Sequence, residues 1–93
     1  MRTIERSTAF KRDYKREAKG RHRKTLDADL SSILKALAAD RSLEPRFRDH
    51  DLSGEWAGYR ECHIKPDLLL IYKKSDPKTL RLARLGSHSE LFS

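Results

Sequence analysis

Apolar residues near the N-terminus recur with helical spacing. Phe10, Tyr14 and Ala18 follow one another at intervals of four residues, which predicts an amphipathic helix capped by Ser7 and running through Lys19. The next apolar stripe predicts a second helix over residues 24–39 and consists of Leu26, Leu30, Ile33, Leu34 and Leu37. The two stripes are expected to form the helical side of the core.

The second half of the chain has the pattern of strands. Three runs, Tyr59–Ile64, Leu68–Lys74 and Thr79–Leu85, are separated by turn-forming residues at 65–67 and 75–78. Such short links predict antiparallel hairpins. The middle run is apolar without alternation, so we expect a central strand that is buried on both faces.

These elements together predict the fold class. Thr3–Arg6 is predicted to be a short edge strand, and residues 40–56 are predicted to be irregular as far as Trp56. The order β-α-α-β-β-β describes an α+β domain, with two N-terminal helices packed on an antiparallel-rich sheet. A chain of 93 residues has room for one core, so residues 1–93 are predicted to form a single domain.

Positive charge is concentrated at the N-terminal end. The chain has 21 Lys and Arg residues against 14 Asp and Glu, a formal net charge of +7. Residues 1–24 hold ten basic and three acidic side chains, whereas residues 25–93 hold eleven of each sign. Such a block favours contact with a polyanion such as RNA, although it also occurs as a merely solvated helix face. The candidate RNA-binding residues are Lys11, Arg12, Lys15, Arg16, Lys19, Arg21, Arg23 and Lys24.

The cysteine content and the apolar runs restrict the cellular setting. Cys62 is the one cysteine, so neither an internal disulfide nor a CxxC zinc motif can form. The longest apolar run, at 68–72, is far shorter than the roughly 20 residues that cross a bilayer. No apolar signal segment is visible at the N-terminus, so we expect a cytoplasmic protein without membrane contact.

Three histidines, at positions 50, 63 and 88, lie in polar sequence in the second half of the chain. Strand alternation places His63 on one face with Glu61, and the turn at 65–67 can bring Asp67 back beside His63. No HExxH motif or other compact ligand pair is present, so we expect neither a metal site nor a cofactor.

Imidazoles without a metal suit the cleavage of RNA, because RNA supplies its own nucleophile. A base takes the 2′-OH proton, the oxygen attacks the adjacent phosphorus, and an acid protonates the departing 5′ oxygen. Histidine performs both roles near neutral pH, and Arg84 can neutralise the charge that develops on the phosphate. The same composition also suits a small basic nucleic-acid-binding module with structural histidines.

Several motifs occur together in the second half of the chain. They are Arg-Asp-His at 48–50, Gly-Glu-Trp at 54–56, GYRECHIKPDLLLIYK at 58–73 and RLGSHSELF at 84–92. In this order they resemble the YafQ branch of the RelE/ParE toxin superfamily, and the helical half agrees in pattern. The resemblance implies a RelE-like fold and a bacterial type II toxin. Such a toxin is a ribosome-dependent endoribonuclease that cuts mRNA in the ribosomal A site and is neutralised by a cognate antitoxin.

The resemblance also implies a set of catalytic residues at matching motif positions. His50 and His63 would take part in proton transfer or phosphate contact, Asp67 would orient a group or share a proton, and Arg84 would stabilise charge. The complete set of candidates is His50, His63, Asp67, Arg84, His88 and Phe92.

The last two candidates of this set lie near the C-terminal end of the chain. His88 is the preferred general acid, and Phe92 would position the nucleotide. The chain departs from the family pattern at Leu68, where a tryptophan can occur in the branch, so stacking at that position is lost and codon preference can differ.

One alternative shares the fold but not the chemistry. A ParE-like inhibitor of DNA gyrase acts by binding a protein and needs no groups that titrate near neutrality, so the three histidines favour the nuclease. A nuclease that works on the ribosome must also dock on 16S ribosomal RNA, which gives the basic block a function.

Overall fold

The computed structural model describes residues 1–92, which contain three helices and five strands. The last residue of the predicted 1–93 domain lies outside this range. Short 3-10 turns at Pro45–Phe47 and Gly54–Trp56 precede and follow the second strand. The elements are β1 (Thr3–Arg6), α1 (Thr8–Glu17), α2 (Leu26–Ala38), β2 (His50–Asp51), β3 (Arg60–Lys65), β4 (Leu68–Asp76), β5 (Thr79–Gly86) and α3 (His88–Phe92).

The strands form one sheet in the order β1-β5-β4-β3-β2. Only the β1–β5 pair is parallel, and the other three pairs are antiparallel. The predicted α+β architecture with an antiparallel-rich sheet is therefore confirmed. None of the helices within residues 1–92 is long and apolar enough to cross a bilayer.

Strand β4 occupies the centre of the sheet and is buried on both faces, as its unbroken apolar run predicts. Leu68, Leu70 and Tyr72 join the core cluster that includes the apolar residues of α1 and α2. Leu69 and Ile71 point to the opposite face and belong to a second, smaller cluster. Because successive side chains of a strand alternate between faces, one apolar run supplies both clusters.

The helices are slightly shorter than predicted, and one strand was not predicted. Ser7 caps α1 as expected, because its Oγ accepts a hydrogen bond of 2.9 Å from the backbone N–H of Phe10. Turn hydrogen bonds, such as the one from Gly20 N–H to the Glu17 carbonyl, replace helical ones between α1 and α2. The two-residue β2 lies in the segment predicted to be irregular. It exists because His50 and Asp51 pair with β3, which local sequence does not indicate.

A buried carboxylate fastens α1 to the edge of β5. Asp13 is 3% exposed, and its Oδ2 accepts hydrogen bonds from Leu85 N–H (3.0 Å) and Arg84 Nε (2.7 Å). Arg16 adds an ion pair of 3.1 Å to Asp13 and a hydrogen bond of 2.8 Å to the Leu85 carbonyl. Burial by itself raises the pKa of Asp13, but these hydrogen bonds and the two arginine charges lower it overall.

The substitution Asp13→Asn is expected to lower the free energy of unfolding by about 2 kcal/mol at pH 7, because both arginines lose a buried charged partner. The pKa of Asp13 lies below its ordinary value of 3.8 in the folded protein, so the carboxylate stabilises the fold above about pH 4 and this contribution is lost as the pH falls. Denaturant unfolding followed by circular dichroism at pH 7 and at pH 3 measures the difference. Asp27→Asn, at an exposed position of α2, is the control. An equal loss at both pH values would contradict this account of Asp13.

Candidate active site

The candidate site lies on the face of the sheet that α1 and α2 leave uncovered. Its floor is the smaller apolar cluster, in which Leu69, Ile71, Ala83 and Leu91 are buried. The polypeptide between β2 and β3 and the short helix α3 cover this floor. The partly buried residues packed against it are Leu52, Trp56, Tyr59 and Phe92. Trp56 and Tyr59 meet edge to face, with ring centroids 5.1 Å apart.

Two candidate histidines flank one buried carboxylate. The His63 Nε2 lies 3.2 Å from Glu61 Oε1, and the His50 Nε2 lies 3.7 Å from the same oxygen. Glu61 and His63 are two residues apart on β3, and His50 is the cross-strand neighbour of Glu61 on β2. All three side chains therefore share a face, with the imidazole centroids 6.5 Å apart.

The hydrogen bond at the other ring nitrogen sets the tautomer of His50. Its Nδ1 lies 2.6 Å from the backbone carbonyl of Arg48, and because a carbonyl only accepts, Nδ1–H must donate. In the neutral ring Nε2 then carries the lone pair and can accept a proton. The structure thus presents the basic nitrogen of His50 on the side of Glu61.

The segment that carries His50 is anchored from both sides. Asp49 accepts a hydrogen bond from the hydroxyl of Tyr72 and forms an ion pair of 3.3 Å with Arg60. Arg60 also binds Asp51 at 2.6 Å. Burial and the hydrogen bond to Asp49 both raise the pKa of Tyr72, so its hydroxyl remains a proton donor at neutral pH. Anchors on each side of His50 restrict the position of its ring.

Helix α3 places the third histidine beside an aromatic ring. Ser87 and Glu90 form a reciprocal capping box: Ser87 N–H donates to Glu90 Oε1 (2.8 Å), and Glu90 N–H donates to Ser87 Oγ (3.2 Å). This motif starts the helix at His88. His88 and Phe92 then lie one turn apart, with ring centroids separated by 4.9 Å, while Leu91 anchors the helix in the apolar floor.

The register of the sheet relates the two groups of histidines. His63 on β3 pairs with Leu69 on β4, which pairs with Gly86 at the end of β5, two residues before His88. Two strand spacings amount to about 10 Å. This separation between the His50–His63 pair and α3, which we call the groove, is wide enough to admit a phosphodiester linkage.

Arg84 reaches this region from β5 and is held by Asp13. Its Nε and Nη2 bind the two oxygens of the Asp13 carboxylate at 2.7 and 3.2 Å, a bidentate arrangement. Within residues 1–92 its Nη1 has no partner. Asp13 therefore fixes the guanidinium and leaves one edge available to a phosphate.

Gly86 allows β5 and α1 to approach at the edge of the groove. A Cβ at this position would lie 2.7 Å from Arg16 Nη2 and 3.1 Å from Glu90 Oε1. Arg16 also forms an ion pair of 3.1 Å with Glu90, so it connects α1 to both β5 and α3. In the structure Arg16, a candidate RNA-binding residue, is held by contacts within the protein although its side chain is 41% exposed.

The predicted pairing of His63 with Asp67 does not form. Asp67 instead accepts a hydrogen bond of 2.9 Å from His22 Nε2 and pairs with Arg21 at 3.1 Å, which joins the α1–α2 and β3–β4 turns. An irregularity in the β3–β4 register between His63 and Lys65 changes the alternation before the turn. Burial opposes the ionisation of Asp67, but the contacts with His22 and Arg21 lower its pKa overall.

The remaining sequence candidates divide between surface and core. Cys62 is fully buried on the helix side, opposite His63, and burial raises the pKa of its thiol, so the thiol is not poised as a nucleophile. The other seven residues of the basic block are exposed on α1 and the following turn: Lys11, Arg12, Lys15, Lys19, Arg21, Arg23 and Lys24.

Glu61 is the one member of the histidine cluster that sequence reasoning did not assign to the site. The alternation of β3 had placed it on the face of His63, and that was the available signal. Among residues 1–92 no group of three or more His, Cys, Asp or Glu side chains is arranged to hold a metal ion.

Comparison with known proteins gives concordant matches. Residues 2–93 match the family described as bacterial toxin of type II toxin-antitoxin system, YafQ. The chain is 35% identical over 91 residues to the mRNA interferase toxin YafQ of Escherichia coli K12, covering 96% of this chain and 98% of that relative.

Solved structures match along the whole fold. A chain of the E. coli DinJ-YafQ complex superposes with a TM-score of 0.83 at 38% identity, covering 100% of both chains. A metal-bound toxin from Helicobacter pylori superposes with a TM-score of 0.81 at 43% identity, covering 99% of this chain and 100% of that one. With the family match over residues 2–93, these likenesses establish that the chain belongs to the YafQ family of bacterial type II toxin–antitoxin toxins.

Proposed function

We propose that this chain is an mRNA interferase, the toxin of a type II toxin–antitoxin pair, which cuts mRNA in the ribosomal A site. The observation that carries the proposal is the placement of the imidazoles: His50 and His63 share Glu61 on one side of the groove, and His88 lies beyond two strand spacings. The YafQ of E. coli K12, a relative along nearly its whole length, is an mRNA interferase toxin.

The 2′-hydroxyl of the RNA is the nucleophile in this proposal. A base on the His50–His63 side takes the 2′-OH proton while the O2′–P bond forms. The P–O5′ bond breaks, and His88 gives its proton to the departing O5′. The products are a 2′,3′-cyclic phosphate and a 5′-hydroxyl, so protons balance without any added reactant.

The contacts of the two imidazoles indicate which atoms accept the proton. His50 donates through Nδ1–H to Arg48, which leaves Nε2 as its basic atom. His63 Nε2 lies 3.2 Å from Glu61 Oε1, so the carboxylate is placed to stabilise a proton that His63 takes up. Whether His50 or His63 takes the proton, the buried Glu61 carboxylate stabilises the imidazolium as it forms, as the carboxylate of a catalytic triad does. Glu61 is therefore a positioning residue.

The other candidates act on the phosphate and the base. The unpartnered Nη1 of Arg84 stabilises the negative charge of the pentacoordinate phosphorus, and Asp13 holds the guanidinium in place. Phe92, beside His88, offers a ring on which a nucleobase stacks. Asp67 contributes by ordering the β3–β4 turn through His22, since Glu61 occupies the position expected for it next to His63.

The partners follow from the family and from the surface charge. YafQ of E. coli forms a complex with DinJ, and we infer that a cognate antitoxin likewise neutralises this chain in the bacterial cytoplasm. The exposed basic residues of α1 and the following turn dock on phosphates of 16S ribosomal RNA.

Primer extension on a defined mRNA, with and without translating ribosomes, tests the proposed function directly. We expect breaks that follow the codon phase only in the presence of ribosomes. Breaks in naked RNA alone would indicate a general ribonuclease. The absence of breaks under either condition would favour the gyrase inhibitor, which a supercoiling assay would then examine.

His63→Ala and His88→Ala are each expected to reduce the rate of cleavage by at least about 100-fold, the usual contribution of a positioned acid or base. Single-turnover cleavage on stalled ribosomes measures the effect. His22→Gln, which keeps a hydrogen-bond donor for Asp67 outside the groove, is the matched control. Ribosome co-sedimentation should be unchanged in both alanine variants. Thermal melting should show that both remain folded, with a lower melting temperature for His63→Ala because buried Glu61 loses a partner. Full activity in both would refute the two-imidazole mechanism.

Lys15→Glu with Lys19→Glu is expected to weaken ribosome binding and to flatten its dependence on salt, because each lost phosphate contact removes about 0.7–0.9 from the slope of log K against log salt. Co-sedimentation over a range of potassium concentrations measures the slope. Arg41→Glu with Lys78→Glu makes the same change in net charge at exposed positions outside the block. If the two double variants behave alike, the basic block serves only as a solvated face.

A further inference from the structure

A cavity of about 490 Å³ opens at the edge of β3 beyond the end of β2. It lies between α2, the 3-10 turn at Pro45–Phe47 and the turn that follows β3. His63 forms part of its wall, so the cavity adjoins the groove of the candidate active site. Its volume falls within the range of about 300–1,000 Å³ that is usual for small-ligand sites.

The charges around this cavity leave an excess of positive charge. Lys65 is neutralised, because its Nζ lies 2.7 Å from Asp29 Oδ2. The one ion pair of Arg46 within residues 1–92 is a loose and exposed contact of 3.6 Å with Glu44. The guanidinium of Arg48 makes no hydrogen bond or ion pair within residues 1–92. Two arginines thus line the cavity with donors available to an anion, and their fork geometry suits phosphate.

An aromatic surface lies next to these donors. The Arg46 guanidinium carbon lies 4.6 Å from the centroid of the Phe47 ring, and both residues line the cavity. Nucleobases stack on aromatic rings and on guanidinium planes. A hydrogen-bond donor for phosphate beside a stacking surface is the combination that recognises a nucleotide rather than a free anion.

The backbone at Arg48 connects this cavity to the catalytic groove. Arg48 has a φ of 49°, in the left-handed region that non-glycine residues seldom adopt. In this conformation its side chain lines the cavity while its carbonyl accepts the hydrogen bond from His50 Nδ1. Strained backbone of this kind persists where surrounding structure holds it, often at functional sites. A ligand bound by the Arg48 side chain is therefore linked to His50 through the Arg48 backbone carbonyl.

We propose that this cavity binds the ribonucleotide that adjoins the cleaved linkage, with its phosphate on Arg48 and its base on the Arg46–Phe47 surface. The inference rests on the proposed function and deepens it by assigning a second nucleotide subsite. In this proposal the nucleobase lies between the Arg46–Phe47 surface and His63. The subsite therefore contributes to the sequence preference of cleavage.

Nuclear magnetic resonance titration of the full chain tests the subsite without ribosomes. Adenosine 3′-monophosphate and uridine 3′-monophosphate are added separately to the ¹⁵N-labelled protein, with inorganic phosphate as the reference ligand. We expect amide shifts concentrated at residues 46–48 and 63–65, and tighter binding of the nucleotides than of phosphate. Shifts concentrated on α1, or equal affinity for phosphate and nucleotides, would overturn the proposal.

A pair of matched variants identifies the residue that acts. Arg48→Gln is expected to weaken nucleotide binding about tenfold, the loss typical of one charge-assisted contact. Arg81→Gln removes the same charge from β5 at the opposite side of the sheet and should change the affinity less than twofold. Equal effects of the two substitutions would refute a specific role for Arg48. Thermal melting of both variants verifies that the fold is retained.

The titration and the primer-extension experiment distinguish a failure of the subsite from a failure of the proposed function. Amide shifts at the cavity when nucleotide is added, without ribosome-dependent breaks, would retain a nucleotide-binding cavity but reject both the proposed activity and the place of the cavity beside a cleaved linkage. If Arg48→Gln and Arg81→Gln produce codon-phased breaks at the same rate and at the same codons, the activity is retained and the subsite is rejected. Loss of antitoxin binding in Arg48→Gln with unchanged nucleotide binding would reassign the cavity to the antitoxin.

Discussion

The structure depends on the burial of both faces of one strand. β4 is covered by α1 and α2 on one face only, and Leu69 and Ile71 on the other face must still be removed from water. The segment between β2 and β3 and the helix α3 perform this second covering. Most of the candidate catalytic residues lie on these covering segments or on the strands beside them, so the packing of the smaller apolar cluster also positions the site.

Two buried carboxylates organise the polar groups around that cluster. Asp13 holds Arg84 and Arg16 where α1 meets β5, and Glu61 lies between His50 and His63. A buried charge is tolerated only when it is paired and hydrogen-bonded, so each carboxylate restricts the position of its partners. The same constraint stabilises the fold in the first case and orients candidate catalytic groups in the second.

The segment at 45–51 has a comparable double role. Asp49 and Asp51 attach it to Arg60, and between them His50 faces Glu61. The left-handed Arg48 directs its carbonyl to His50 and its side chain to the neighbouring cavity. A single well-anchored loop thus supplies groups to the groove and to the cavity, which is how a domain of 93 residues can accommodate both.

Local periodicity in the sequence determined the two main helices, the central strand and the Ser7 cap, because each depends on neighbouring residues. The family motifs indicated which histidines to consider. The tertiary structure alone decided the pairing of β2 with β3, the position of Glu61 between His50 and His63, the binding of Asp67 by His22 and the fastening of Arg84 by Asp13. These contacts join residues far apart in the chain, and no local pattern encodes which distant partner a buried charge or an imidazole will meet.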